Sequence, residues 1–254
     1  MKKGIIITSF GTTFEKTRKL CIESIENRVR EEFTDCMVLR AFTSRVVISR
    51  IKKRDNIHND NPTEALEKMK EAGIKEIYIQ PLLIIEGIEY EKILREASNF
   101  SDVNLDIKIK IGKPLLSSDR DYENVVKALN LPKDNSVVFM GHGSDHKTDI
   151  SYEKLENEIR KNGYENTFIA TVEGKKTIED VLEGLKEKNI DQVLLKPFML
   201  VAGDHATNDM ASDEDDSWKS ILERNNIKVD IEISGVGEVQ AIQGIFIDHL
   251  KDIL

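Results

Sequence analysis

The chain of 254 residues has only two cysteines, Cys21 and Cys36, and they do not form a CxxC pair. This scarcity argues against a disulfide framework and against a cysteine-based zinc site. Isolated thiols are typical of a reducing compartment. No apolar run approaches the roughly 18 residues that a membrane-spanning helix needs, and the N-terminus shows no cleavage site after its short apolar stretch. We therefore predict a cytoplasmic protein with no membrane partner.

Positive charge is also in deficit, since 37 Lys and Arg residues against 46 Asp and Glu residues give a formal net charge of −9. A nucleic-acid-binding surface needs basic side chains to meet the phosphates, so we expect no nucleic-acid partner. The sequence also has no GxGxxG after a strand, no GxxxxGK[ST] and no GxSxG. Dinucleotide, phosphate-loop and serine-hydrolase sites are therefore not indicated.

What the sequence does have is a regular alternation of short β-branched runs with longer amphipathic stretches. This is the pattern of parallel sheets covered by helices, so we predict an α/β fold. Eight strands are expected, in two sets of four. Their predicted ranges are 4–9, 37–41, 76–80, 106–111, 137–140, 167–171, 192–196 and 229–233.

The two sets of strands follow one repeated plan. The segment IITSFGT aligns with VFMGHGS, which places Phe10 opposite His142. The segment IQPLLIIEGIE aligns with LKPFMLVAGDH, which places Glu89 opposite His205. An internal repeat of this kind predicts two similar halves.

Each half is expected to be a four-stranded parallel sheet flanked by helices, with a cleft between the halves. We place the domains at residues 1–128 and 129–254, because residues 125–135 end in a loop-like stretch.

The paired residues of the repeat lie just past the C-terminal ends of strands, where open parallel sheets bind ligands. Imidazole suits divalent zinc, cobalt, nickel and iron, and a nearby carboxylate would complete an open metal site. Glu173, just after the strand at 167–171, is the candidate carboxylate. Two other interpretations stay open: His142 forms only local hydrogen bonds in a tight turn, and Glu173 is an ordinary acid at a helix start.

Several other charged residues have alternative interpretations. The acidic run at residues 213–216 either attracts hydrated cations or forms a solvated helix face. His146 is a candidate hydrogen-bond donor that would orient the His142 ring, whereas His58 and His249 are interpreted as structural or surface residues. Arginines follow the segment AFTS and suit carboxylate groups; the cluster comprises Arg45, Arg50 and Arg54, with Lys52 and Lys53 as solvated neighbours.

These motifs resemble the sirohydrochlorin cobaltochelatases of the CbiK type, the anaerobic cobalt chelatases of cobalamin synthesis. The resemblance runs nearly end to end. Its carriers are SFGT at 9–12, RAFTS at 40–44, EYEKI at 89–93, PLLSS at 114–118, VVFMGHG at 137–143 and MLVAGDHATNDMASDEDDSW at 199–218. The residues Asp145, His146 and Lys147 after GHGS depart from the family pattern.

The resemblance implies a chelatase fold shared with ferrochelatases, in which a tetrapyrrole lies in the cleft. It implies insertion of Co²⁺ into sirohydrochlorin with release of two protons, in anaerobic cobalamin (vitamin B12) biosynthesis. The implied metal ligands are His142, Glu173 and His205, with His142 also the proton acceptor. Co²⁺ is then a substrate, and no organic cofactor is expected.

The substrate carries many carboxylates, so we expect basic and hydroxyl side chains to bind it, and Glu89 to take the second proton or orient the ring. The predicted substrate-binding residues are Phe10, Thr12, Thr13, Ser44, Arg45 and Arg50. A metal or tetrapyrrole carrier without insertion activity is the alternative function. Iron or nickel in place of cobalt, a related tetrapyrrole and self-association into a homo-oligomer all stay open.

Overall fold

The computed structural model describes residues 3–133 and 135–254, so that Met1, Lys2 and Asp134, the last within the expected boundary loop, lie outside it. The described residues form eight strands, and the predicted strands are confirmed to within two residues at each end. Their bounds are β1 Lys3–Ser9, β2 Cys36–Phe42, β3 Glu76–Pro81, β4 Lys108–Ile111, β5 Val137–Gly141, β6 Thr167–Thr171, β7 Gln192–Pro197 and β8 Lys228–Ile231.

Helices fill the connections between the strands. The α-helices are α1 Glu15–Arg18, α2 Ser24–Glu32, α3 Arg45–Asp55, α4 Pro62–Glu71, α5 Ile88–Val103, α6 Asp119–Leu129, α7 Ile150–Lys161, α8 Ile178–Glu187, α9 Trp218–Arg224 and α10 Gln240–Lys251. Two π-helical segments, Lys19–Glu23 and Ala206–Met210, and two 3₁₀ turns, Lys147–Asp149 and Val236–Glu238, complete the described elements. Across residues 3–133 and 135–254, none of the helices combines the length and apolarity needed to cross a bilayer.

The strands form two four-stranded sheets, and every pairing between neighbouring strands is parallel. The first sheet has the order β2-β1-β3-β4, and the second has the matching order β6-β5-β7-β8. The central strand β5 and its neighbour β6, at one edge of the second sheet, are buried along their whole length, whereas the edge strands β4 and β8 are only partly buried. The predicted α/β class and the repeated plan are therefore confirmed.

Local sequence signals explain where several helices begin. The side chain of Ser44 accepts a hydrogen bond from the backbone N–H of Val47 and caps α3. Asn61 and Glu64 form a reciprocal capping box at the start of α4, with Pro62 at the first helical position. The loop after β2 is thereby held where it enters α3, and the loop after α3 is held where it enters α4.

The chain divides into two compact units, but not at the predicted boundary. One unit consists of the residues up to Ser117 together with Gln240–Leu254, and the other is Ser118–Val239. Helix α6 joins the second unit because it packs on α7. Helix α10 returns to the first unit, where it packs on β3 and α2. The domain limits predicted at 1–128 and 129–254 are corrected accordingly.

The return of α10 is fixed by both apolar and polar contacts. Ile242, Phe246 and Leu250 are fully buried. The guanidinium of Arg28 on α2 donates a hydrogen bond to the backbone carbonyl of Gln240 at 2.8 Å. The three buried side chains of α10 contribute to the core of the first unit, so this helix is part of that unit's fold.

We predict that Phe246→Ala destabilises the first unit by about 3–5 kcal/mol, because it leaves a cavity under a fully buried ring. Native-state hydrogen exchange should show faster exchange in β1 to β4 and unchanged protection in β5 to β8. The matched control is Phe168→Ala, whose ring is buried in the core of the second unit, and it should give the reverse pattern. Selective loss of protection in β5 to β8 in the Phe246 variant would contradict the division described above.

Candidate metal centre at the carboxyl edge of the second sheet

Three side chains of metal-ligand type converge at the carboxyl edge of the second sheet. His142 directly follows β5, Glu173 lies two residues beyond β6, and His205 directly precedes the π-helical segment that comes after β7. One ligand atom from each residue lies within 4.8 Å of the other two. Because β5 lies between β6 and β7 in the sheet, the loops after three adjacent strands end at the same place.

Hydrogen bonds orient the two imidazoles. Nδ1 of His142 lies 3.0 Å from the carbonyl oxygen of Gly143, and Nδ1 of His205 lies 2.5 Å from Oδ2 of Asp209. A carbonyl or carboxylate oxygen accepts from an N–H, so both Nδ1 atoms carry the proton in the neutral rings. Each Nε2 therefore keeps its lone pair for a ligand.

The two rings are close enough to share one ion. The centroids of His142 and His205 are 5.0 Å apart and the ring planes are nearly perpendicular, at 89°. Oε2 of Glu173 lies 3.8 Å from Nδ1 of His142. All three side chains are open to solvent, with 48%, 58% and 33% of the side-chain surface of His142, Glu173 and His205 exposed. Water and incoming ions can reach the group.

The backbone of the two loops continues the parallel ladder beyond the strands. The backbone N–H of Glu173 donates to the carbonyl of His142 at 2.8 Å. Gly143 has φ +78°, and a Cβ there would lie 2.4 Å from the backbone nitrogen of Gly174. Only glycine fits this left-handed, closely packed position. The glycine after His142 therefore sets the approach of the two loops.

The structure identifies three supporting residues that were not among the predicted site residues. Asp209 lies four residues after His205 and orients its ring. Asp149 is buried and accepts hydrogen bonds from the backbone N–H groups of Ser144 and Lys175. Tyr152 on α7 is also buried. Asp209 could have been found from the sequence, because an acid four residues after His205 lies on the same face of a helix. Asp149 could not, because its partner Lys175 lies 26 residues away in the sequence.

Tyr152 lies beneath the loop that carries His142. A Cβ on Gly141 would come within 2.5 Å of the Tyr152 ring, and the ring meets Phe198 edge to face at 6.4 Å between centroids. Burial raises the pKa of the Tyr152 phenol to about 12, against smaller lowering contributions from hydrogen bonds with the backbone of Gly143 and His142. The phenol is therefore neutral under ordinary conditions.

The first sheet repeats this backbone with different side chains. The backbone N–H of Ser44 donates to the carbonyl of Phe10 at 3.3 Å, just as Glu173 pairs with His142. Phe10 and Ser44 thus occupy the positions of His142 and Glu173, and Glu89, in the first turn of α5, occupies the position of His205. Neither a phenyl ring nor a serine that caps a helix is a metal ligand.

Glu89 has one close cation. Its Oε2 lies 3.9 Å from Nζ of Lys92, which donates to the carbonyl of Thr43 at 2.5 Å. Among the described residues, this Oε2 is buried and has no hydrogen-bond partner. The Glu89 side chain is 33% exposed, and a carboxylate oxygen without a hydrogen-bond partner can accept a proton.

The residues predicted to bind substrate occupy the loops after β1 and β2. Phe10 is 48% exposed, Thr13 is half-buried, and Arg45 and Arg50 are exposed on α3. Thr12 is buried, and its hydroxyl oxygen accepts from the backbone N–H of Phe14 at 3.2 Å. Since Ser44 is likewise engaged as a helix cap, these two hydroxyls have structural partners already. Arg54 pairs with Asp55 instead.

The remaining histidines have other partners. His146 caps the 3₁₀ turn after GHGS, where its Nδ1 lies 2.8 Å from the hydroxyl of Thr148. His249 on α10 is buried, and its Nδ1 lies 3.0 Å from the carbonyl of Lys113. A structural role for His249 follows from its burial and this contact.

A second group of ligand-type side chains, His58, Asp60 and Glu64, lies at the start of α4. Nε2 of His58 is 3.4 Å from a carboxylate oxygen of each acid. Lys68 donates to both oxygens of Asp60, at 2.8 and 2.6 Å. Because the ammonium already occupies the carboxylate that a cation would need, we interpret this group as an ion-pair network.

The acidic run is exposed and partly paired. Asp213 pairs with Lys219 at 2.5 Å, and Asp215 pairs with Arg224 at 3.4 Å, both cations lying on α9. The hydrogen bond from Lys219 holds the pKa of Asp213 below its ordinary value. These pairs favour the interpretation of a solvated surface over that of a cation-attracting one.

Comparison with known proteins places these residues in a family context. A family model described as cobalt chelatase (CbiK) matches residues 3–254. The sirohydrochlorin cobaltochelatase of Salmonella typhimurium is 37% identical over 259 residues, covering 100% of this chain and 97% of that protein. The sirohydrochlorin cobaltochelatase CbiKC of Nitratidesulfovibrio vulgaris is 32% identical, covering 98% of this chain and 89% of that protein.

A solved structure has the same fold. The crystal structure of the sirohydrochlorin chelatase SirB from Bacillus subtilis subspecies spizizenii in complex with cobalt matches with a TM-score of 0.68. The match covers 99% of this chain and 95% of that chain at 15% identity. At this identity the match establishes the fold and nothing further.

We predict that Tyr152 makes stability fall at alkaline pH. The phenol ionises near its ordinary pKa of about 10 when unfolded and near 12 when folded. Its stabilising contribution is therefore complete below about pH 10 and is lost as the pH rises towards 12. Compared with Tyr152→Phe, the wild type should lose an additional amount on the order of 2–3 kcal/mol of unfolding free energy across that window. Parallel pH curves in urea unfolding would contradict this assignment.

Proposed function

The chain belongs to the CbiK family of cobalt chelatases, and on that basis we propose that it inserts Co²⁺ into sirohydrochlorin, releasing cobalt-sirohydrochlorin and two protons in anaerobic cobalamin biosynthesis. The observation that carries the proposal is the convergence of His142, Glu173 and His205 at one sheet edge. The names of the two relatives described above support the choice of metal and tetrapyrrole.

We assign the three converging residues to the delivery of the substrate ion. Two neutral imidazoles and one carboxylate are ligands that suit Co²⁺. A structural metal site is usually closed by four protein ligands, whereas three ligands leave positions for water or an incoming group. The solvent exposure of His142, Glu173 and His205 fits an ion that must arrive hydrated and then leave. The site is therefore suited to transfer and not to permanent retention.

Metallation also requires a base, because two pyrrole protons leave as the ring nitrogens bind the metal. We assign the first proton to Nε2 of His142, since a neutral imidazole nitrogen with a free lone pair can act as a general base. One lone pair cannot hold the ion and the proton at once. The order that follows is release of Co²⁺ from His142 to the ring, and then transfer of a pyrrole proton to the freed nitrogen.

Glu89 is our candidate for the second proton or for orienting the ring. Its support is the carboxylate oxygen without a hydrogen-bond partner in the described residues and the adjacent Lys92. Arg45 and Arg50 are the candidates for the substrate carboxylates, since both are exposed and guanidinium groups bind carboxylates in a two-pronged manner. Phe10 offers an exposed apolar ring, and Thr13 a hydroxyl.

No organic cofactor is needed for this reaction. The ion enters as Co²⁺ and protons leave, so no electrons are transferred and no group requires a carrier.

The net charge of −9 agrees with the expectation that the protein has no nucleic-acid partner.

We predict that purified protein turns over more than one equivalent of sirohydrochlorin with Co²⁺ under anaerobic conditions, followed by absorbance. His142→Ala should lower kcat about 10²- to 10⁴-fold, the range that a general base contributes. His205→Ala should lower the rate of insertion when Co²⁺ is limiting. The control is His58→Ala, an exposed histidine of the ion-pair network, which should retain wild-type rates.

One result would overturn the chelatase assignment, and another would overturn the assignment of its site. Stoichiometric binding of Co²⁺ or tetrapyrrole without catalysed insertion would identify a carrier. Unchanged insertion in the His142 and His205 variants would show that chemistry occurs elsewhere on the chain.

We predict that Glu89→Gln lowers kcat about 10²-fold or more while the affinity for Co²⁺ stays the same, because the amide cannot take a proton. The control is Glu91→Gln, an exposed acid two residues further along the same helix. Steady-state rates and equilibrium Co²⁺ binding are to be measured on both variants. Equal kcat values for the Glu89 and Glu91 variants would remove Glu89 from the mechanism.

A further inference from the structure

Asp149 is a buried carboxylate at the junction of two functional loops. It lies at the end of the 3₁₀ turn that leads into α7 and is only 7% exposed. Its Oδ1 accepts from the backbone N–H of Ser144 at 3.1 Å, and its Oδ2 accepts from the backbone N–H of Lys175 at 3.0 Å. One side chain thus bonds to two separate loops.

Each of these bonds lies close to a candidate metal ligand. Ser144 is two residues after His142, and Lys175 is two residues after Glu173. Bonds from N–H groups to an ionised carboxylate are shorter and stronger than neutral ones. The position of Asp149 at the start of α7 also favours a negative charge there, because backbone N–H groups face the helix N-terminus. Both loops are therefore held to one fixed point.

Glycine makes this close approach feasible. A Cβ on Gly174 would lie 2.5 and 2.6 Å from the two carboxylate oxygens of Asp149. A Cβ on Gly143 would lie 2.4 Å from the backbone nitrogen of Gly174. The loops after β5 and β6 can pack against each other and against the carboxylate only because both positions lack a side chain.

We propose that Asp149 is a positioning residue that sets the separation of His142 and Glu173 for binding the substrate metal ion. The inference rests on the proposed function, since it assigns a purpose to the spacing of the same ligands. The carboxylate acts through the backbone and does not touch the ion. Both of its oxygens must accept, so an asparagine, with one acceptor oxygen and one donor NH₂ group, cannot reproduce the two bonds.

The test uses Asp149→Asn in the full-length protein, with Co²⁺ as the probe and no tetrapyrrole. Competition with a chromophoric chelator gives the Kd, and the visible absorption of bound Co²⁺ reports its coordination geometry. We expect the Kd to rise about 10- to 100-fold, as is found for residues that orient metal ligands, together with a changed spectrum. A purely structural role would lower the thermal midpoint and leave the spectrum of bound Co²⁺ unchanged.

Two further variants make the outcome decisive. Leu185→Ala removes a fully buried side chain from the core of the second unit, and it should lower stability while keeping the wild-type Kd and spectrum. Gly174→Ala pushes a methyl group against the Asp149 carboxylate, and it should reproduce the weakened Co²⁺ binding. This variant also provides the test if Asp149→Asn fails to fold.

The results separate this inference from the proposed function. If the wild type binds Co²⁺ and His142→Ala does not, the metal assignment stands; a wild-type Kd and spectrum in Asp149→Asn would then overturn the positioning role alone. If His142→Ala binds Co²⁺ as well as the wild type, the metal assignment itself fails, and the positioning role fails with it.

Discussion

The candidate site depends on one constraint, the parallel alignment of β6, β5 and β7 in the second sheet. Parallel neighbours end at the same edge, so the loops that follow three adjacent strands meet there and bring His142, Glu173 and His205 together. Backbone hydrogen bonds continue past the end of β6, from the N–H of Val172 to the carbonyl of Gly141 and from the N–H of Glu173 to the carbonyl of His142. The positions of the ligands are thus set mainly by backbone hydrogen bonds.

The internal repeat shows that this backbone does not determine the chemistry. In the first unit the same bond joins Ser44 to Phe10, and the positive φ of Gly11 matches that of Gly143. The ligand set exists only where the repeat has His142, Glu173 and His205. The two sheets therefore share a backbone and differ in three side chains at this edge. The second sheet has three metal-ligand side chains there, whereas the first has an exposed aromatic ring and a carboxylate.

Much of the fold was predictable because its signals are local. Buried central strands give continuous apolar runs, and Ser44 and Asn61 mark helix starts through their own side-chain bonds. The repeat then identified His142 and His205 as partners in space. Glu173 was a candidate from its place after the strand at 167–171, but a single acid there has many ordinary explanations, and the family resemblance supplied the further support.

The rest depends on contacts between distant segments. The predicted boundary was wrong because the unit to which α6 and α10 belong is decided by the elements on which they pack. The amphipathic helices of the two units have similar sequence patterns, so the sequence does not report this packing. The two bonds of Asp149 join segments that lie up to 26 residues apart. No periodicity or motif reports such a contact. Asp209 was partly visible, since an acid four residues after a histidine shares its helical face.

The central claim is that His142, Glu173 and His205 together receive the substrate Co²⁺. Anomalous diffraction at the cobalt edge, from crystals grown with Co²⁺, tests it most directly. The account predicts one strong peak bound by Nε2 of both histidines and a Glu173 oxygen, at about 2.0–2.2 Å. A peak at His58, Asp60 and Glu64 with none at the second sheet would contradict it.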